Sequence, residues 1–132
     1  VYSIKTFDQP YDLCVRQRIS GIKPKSFTRM GTAIRHLGSQ LQLTLAHTKL
    51  LITLSDGRPE DCDGYKGQYG IEDTRHALLE MQKTDIQAFC ITIDKEAQEY
   101  LPYMYGAANY TVIDEVDKLP QKVTEIYRRL TT

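Results

Sequence analysis

The segment Leu50-Leu51-Ile52-Thr53-Leu54-Ser55-Asp56-Gly57 passes from a continuous apolar run to an acid followed by glycine. A run of this kind reads as a buried strand. A carboxylate delivered to its C-terminal tip, with Gly57 turning the chain, is how open α/β sheets present a ligand site. Upstream, Phe27-Thr28-Arg29-Met30-Gly31-Thr32-Ala33-Ile34-Arg35-His36 opens a helical pattern with a hydroxyl residue at its start. Thr28 and Asp56 are the residue types that suit a hard cation, which takes oxygen ligands and keeps several waters, but two oxygens make a weak site. Each also has a plainer reading: Asp56 as a turn-initiating Asp-Gly, Thr28 as a helix N-cap.

The stretch from Arg58 to Gly70 is polar and Gly-rich and carries Glu60, Asp61 and Asp63. Following Asp56 at a strand tip, it is placed to form a rim around the site. Arg58, Tyr65 and Tyr69 lie beside that rim and, with its three acids, are candidates for partner contact. Asp61 and Asp63 also suggest a paired-carboxylate magnesium site of the phosphoryl-transfer or nuclease kind, working with Asp56; a solvated loop is the plainer reading. An EF-hand is excluded, because glycine and the closing glutamate miss their loop positions. His36, His47 and His76 form no HExxH pattern, Ser55 lacks a G-x-S-x-G frame, and no phosphate-binding glycine loop occurs. Tyr100, Tyr103, Tyr105 and Tyr110 cluster around Pro102 and Gly106, as at an interface or in ordinary core packing.

The elements that must position these residues follow from periodicity. Tyr2 to Phe7 reads as a short strand, Asp8-Gln9-Pro10 as a turn, and Tyr11 to Ile19 as a helix. Ile34, Leu37, Leu41 and Leu45 make a helical stripe that should pack on a sheet. Strands are expected over Lys49 to Leu54, Gln87 to Ile93 and Tyr110 to Ile113. They alternate with helices at Ile71 to Lys83 and Lys118 to Leu130, the last with Leu119, Val123, Ile126 and Leu130 on its inner face. The alternation implies an α/β fold of the Rossmann-like kind, a mostly parallel sheet with helices on both faces.

With 132 residues, 41% of them hydrophobic, the chain has the length of one domain, spanning 1–132. Seventeen basic and seventeen acidic residues cancel, so no long-range field favours nucleic acid or a membrane surface. Three cysteines, widely spaced and without a C-x-x-C pair, read as reduced intracellular thiols. No secretory or long apolar segment is seen, so a cytoplasmic setting without membrane insertion is expected. The start at Val1 without Met suggests an excised or processed piece.

A hydroxyl residue opening a helix, followed by strand-Asp-Gly, resembles the von Willebrand factor A domain. In that family a metal-ion-dependent adhesion site sits at the C-terminal edge of the sheet. Its ligands are an Asp-x-Ser-x-Ser motif on the first strand, a threonine in a later loop and an aspartate before glycine. Thr28 matches the threonine and Asp56 the aspartate. Asp56-Gly57-Arg58-Pro59, Tyr69-Gly70-Ile71-Glu72-Asp73-Thr74-Arg75 and Phe89-Cys90-Ile91-Thr92-Ile93-Asp94-Lys95-Glu96-Ala97-Gln98 are similar to the NorD and CbbO branch, a likeness that runs from Phe7 to Pro120.

That resemblance implies a non-catalytic adaptor or chaperone. It would work with a MoxR-type AAA+ ATPase on a client metalloenzyme such as nitric oxide reductase, and use Mg2+ or Mn2+ at Thr28 and Asp56 to grip an acidic residue of a partner. No Asp-x-Ser-x-Ser precedes Thr28, so the chain is expected to begin near the family's third strand. The consequences would be weak or absent metal binding and a sheet edge at Lys49 to Leu54 open to homodimer formation.

Overall fold

The computed structural model describes residues 1–25 and 28–132, so Phe27 of the Phe27-Thr28 motif lies outside the described residues. The fold is α/β. Its three-stranded sheet is wholly parallel, in the order β1 (Lys49–Ser55), β2 (Ile86–Thr92), β3 (Tyr110–Val112). The helices are α1 (Leu13–Ser20), α2 (Met30–Gln42), α3 (Gln68–Gln82), α4 (Leu101–Tyr105) and α5 (Leu119–Thr131).

Alternation along the strands builds two apolar layers. Leu51, Ala88 and Cys90 face one side, where Ile34, Leu37 and Leu41 of α2, Ile71, Leu78 and Met81 of α3, and Leu101 and Met104 of α4 close over them. Ile52, Phe89 and Ile91 face the other side, covered by Leu119, Val123, Ile126 and Leu130 of α5. The stripe expected on the last helix is the one it buries. α2 and α3 pack closely because Gly31 and Gly38 present no side chain where Asp73 and Met81 need the space.

Local chemistry sets the helix limits. Asp12 caps α1, its carboxylate accepting from the Val15 amide at 3.0 Å, and Pro120 stands in the first turn of α5, where no amide is needed. α2 stops at Gln42, whose carbonyl accepts from the Lys49 ammonium at 3.1 Å as the chain turns back into β1.

Two expectations are corrected. Tyr2 to Phe7 is not a strand: among the described residues no strand pairs with it, and its backbone groups are served by side chains and a local turn instead. Gln9 accepts from the Thr6 amide and Arg18 donates to the Ile4 carbonyl. Leu45 continues the spacing of the α2 stripe but lies beyond the helix end and is fully exposed. The helix α4 has no counterpart in the sequence reading. It puts Tyr105 in the core, with Tyr100 buried just before it, while Tyr103 stays half exposed.

Candidate metal and partner site at the carboxyl edge of the sheet

β1 delivers Asp56 to its carboxyl end through a turn made by a hydroxyl. Ser55 Oγ donates to the Gly57 carbonyl at 2.7 Å and accepts from the Gly57 amide at 3.3 Å. Gly57 is not among the residues with positive φ, and a Cβ on it would meet nothing within 4 Å. The turn expected of glycine is therefore closed by serine. Asp56 is exposed and, among the described residues, its carboxylate has no hydrogen-bond partner. Beside it a groove of about 260 Å³, lined mainly by apolar residues such as Leu54, Ile93, Ile113 and Val116, opens at the strand ends.

The neighbouring strand leads into a second acid, Asp94, two residues past its end. The Asp94 amide donates to Thr92 Oγ1 at 3.0 Å, and its carboxylate accepts from Tyr100 Oη at 2.6 Å and from the Glu96 amide at 2.9 Å. The Tyr100 hydrogen bond holds the Asp94 carboxyl below its usual value. Burial, joined by the same bond, pushes the Tyr100 phenol well up. Arg58 crosses from the β1 loop to this cluster, pairing with Glu99 and lying 5.1 Å over the Tyr100 ring. The available signal is position: Asp94 lies two residues past the end of β2, beside the strand end from which Asp56 follows β1.

The acidic loop is stitched down rather than loose. The Glu60 carbonyl accepts from the Thr28 amide at 3.3 Å, which brings Thr28 against the loop. Thr28 is exposed and precedes the N-cap residue of α2, Arg29, so it does not act as that cap. Asp61 Oδ2 accepts from Arg29 at 2.8 Å and Oδ1 from the Cys62 amide at 2.7 Å. The Arg29 bond holds the Asp61 carboxyl down. Asp63 is well exposed at positive φ, and Glu60 and Tyr69 are also exposed.

Tyr65 departs from its expected role as contact surface, because it is 3% exposed. Its hydroxyl donates to Asp73 Oδ2 at 2.6 Å and accepts from the Gly31 amide at 3.2 Å, while Arg35 donates to Asp73 Oδ1 at 2.8 Å. Burial alone would raise the Asp73 carboxyl, but the hydrogen bonds from Tyr65 and Arg35 outweigh it and leave it lowered. One phenol thus ties the loop to both α2 and α3. Tyr69, edge-on to Tyr65 with ring centroids 5.3 Å apart, presents its own ring to solvent.

Chemically, the Thr28 hydroxyl and Asp56 carboxylate suit a hard cation in kind but fall short in number. Among the described residues no three of His, Cys, Asp and Glu are grouped to hold a metal ion, so Asp56, Asp61 and Asp63 are not gathered into one site. Both oxygens of Asp61 are already engaged. No described helix is long and apolar enough to cross a membrane.

No protein-family profile and no solved structure matches the chain. Several known proteins do. Protein NorD of Stutzerimonas stutzeri is 49% identical over 112 residues, 85% of this chain and 18% of that protein. Protein NorD of Brucella abortus is 38% identical over 130 residues, 98% of this chain and 20% of that protein. An uncharacterized protein of Pseudomonas aeruginosa is 45% identical over 127 residues, 96% of this chain and 21% of that protein. The chain spans about a fifth of the length of these relatives, and over most of its own length it is similar to proteins named NorD.

Proposed function

We propose that this chain is a protein-binding module of a NorD-like accessory protein that serves the maturation of nitric oxide reductase, and that it works with a MoxR-type AAA+ ATPase rather than as a catalyst. The observation that carries this reading is the likeness to proteins named NorD, 38–49% identical over most of the chain. The edge geometry agrees with it: an exposed carboxylate at the tip of β1 beside an apolar groove suits the capture of a protein segment better than turnover of a small molecule.

In this reading Thr28 and Asp56 would hold Mg2+ or Mn2+, with waters and a partner's carboxylate completing the oxygen shell. The cation would supply charge neutralisation between two acids that otherwise repel. The chain's own residues do the positioning. Ser55 fixes the turn that presents Asp56, Tyr65 and Asp73 hold the loop against the α2 and α3 helices, and Tyr69, Glu60 and Asp63 face outward as the partner-contacting rim.

The test is a transplant. The matching segment of a NorD protein is replaced by this chain in a bacterium lacking its own NorD, and nitric oxide reductase activity is measured. Restored activity that is lost with Asp56→Ala is the expected result. No restoration would sink the NorD reading, whereas equal restoration by both versions would remove Asp56 and its cation from it. Calorimetric titration of Mn2+ into the chain, with Asp56→Ala as control, separately tests whether these two oxygens bind metal.

A further inference from the structure

The start of α2 is built without a cap of its own. The first amides of a helix have no partner inside it, and Arg29, in the N-cap place, caps none of them with its side chain. The bond that the Gly31 amide needs comes from another element, for Tyr65 Oη accepts from it at 3.2 Å. Gly31 permits this approach, because a Cβ there would clash with the Asp73 carboxylate that Tyr65 also holds. Two further contacts join the same segments in step. The Thr28 amide donates to the Glu60 carbonyl at 3.3 Å, and Arg29 donates to Asp61 Oδ2 at 2.8 Å. Thr28, Arg29 and Gly31 are thus matched in order to Glu60, Asp61 and Tyr65.

The loop side of this seam is tied into one piece. The Asp61 amide donates to the Tyr65 carbonyl at 2.6 Å, which closes residues 61–65 into a ring, and Asp63 and Gly64, both at positive φ, make its turn. From Glu60 to Gly67 only Tyr65 is buried. One aromatic ring therefore anchors the whole loop, and a segment with so little buried surface is of the kind that opens while the rest of a fold stays closed. When that ring leaves its seat, the Gly31 amide loses its acceptor, and the Glu60 carbonyl and Asp61 carboxylate are drawn away from Thr28 and Arg29.

We infer that the 60–65 loop and the first turn of α2 open and close as one unit, so that contact made on the loop is felt at Thr28. The handle is Tyr69, whose ring is 62% exposed and stands edge-on against Tyr65. A partner that presses on Tyr69 and Asp63 keeps Tyr65 seated and Thr28 in place. One that draws the loop outward uncaps α2 and releases Thr28. The coupling runs equally in the other direction, because linkage between two sites is reciprocal: a ligand that fixes Thr28 holds the acidic loop closed. The use of this coupling at a cation site rests on the reading proposed above, whereas the coupling itself rests on the bonds of the seam alone.

Amide hydrogen exchange of the chain, read residue by residue by NMR with no cation added, tests the unit. Thr28, Gly31, Asp61 and Tyr65 should open with one common free energy, below that of residues 37–41 later in α2. Tyr65→Phe should speed exchange at these amides by at least about fivefold, Thr28 included, although the Thr28 amide bonds to Glu60 and not to Tyr65. Arg29→Gln, made on the helix side, should speed Asp61 and Tyr65 in the same way. Ile126→Ala, which weakens the fold from α5, should leave all four unchanged. Four amides that open independently, or variants that each disturb only their own side of the seam, overturn the proposal and leave the NorD reading standing. A chain that binds no Mn2+ removes the cation site but not this coupling, so the two failures are told apart.

Discussion

Ser55, Gly57 and Gly70 divide the labour of the site loop in a way their residue types alone do not announce. Gly57 sits in open space at an ordinary φ, and the turn is held by the Ser55 hydroxyl. Gly57→Ala should therefore change stability by less than about 0.5 kcal/mol. Gly70 is the opposite case: a Cβ there would meet the Pro59 carbonyl oxygen at 2.2 Å. Gly70→Ala should cost about 1–3 kcal/mol as loop and helix are forced apart, and paired urea titrations of the two variants check the contrast. Tyr65→Phe strips a buried hydroxyl from Asp73 and from the Gly31 amide, at an expected cost of about 1–3 kcal/mol. Asp73 makes this network sensitive to acid. Its carboxyl is held below its ordinary value in the fold, so folding favours the ionised form. The stability it adds is complete at neutral pH and is withdrawn as pH falls from about 4 through the lowered value. The denaturation midpoints of wild type and Asp73→Ala should therefore converge at low pH. A gap that stays constant would mean that Asp73 acts by packing alone.

At the level of elements, the sequence is legible where the signal is local and repeated. The α5 stripe Leu119, Val123, Ile126, Leu130 and the three strands are read from spacing alone, because amphipathic faces are written into consecutive turns. Ile126 is the most deeply buried member of that stripe, and Ile126→Ala should cost about 3 kcal/mol in thermal or chemical unfolding. Legibility fails where a partner decides the outcome. Tyr2 to Phe7 has strand composition but no ladder, and the Leu45 spacing outlasts its helix because Lys49 takes up the Gln42 carbonyl. The site shows the same division. Asp56 at a strand tip is visible in the sequence, whereas Arg29 with Asp61 and Tyr65 with Asp73 depend on the path of a loop that no periodicity encodes.

Across the whole molecule, protection is expected to follow depth in the sheet. β2 is flanked by strands on both sides and packed on both faces, while the first twenty-five residues bury little beyond Val15. Amide hydrogen exchange should be slowest in β2 and fastest in this N-terminal region; uniform exchange would contradict that gradient. The same arrangement gives the chain a clock of its own. Cys14 and Cys62 are exposed, but Cys90 lies at the middle of the protein with none of its surface open and its thiol pushed up by burial. A thiol reagent should mark two sites at once and the third only when the sheet parts. The lag before the third label then measures how often the whole molecule opens, with no probe added and no residue changed.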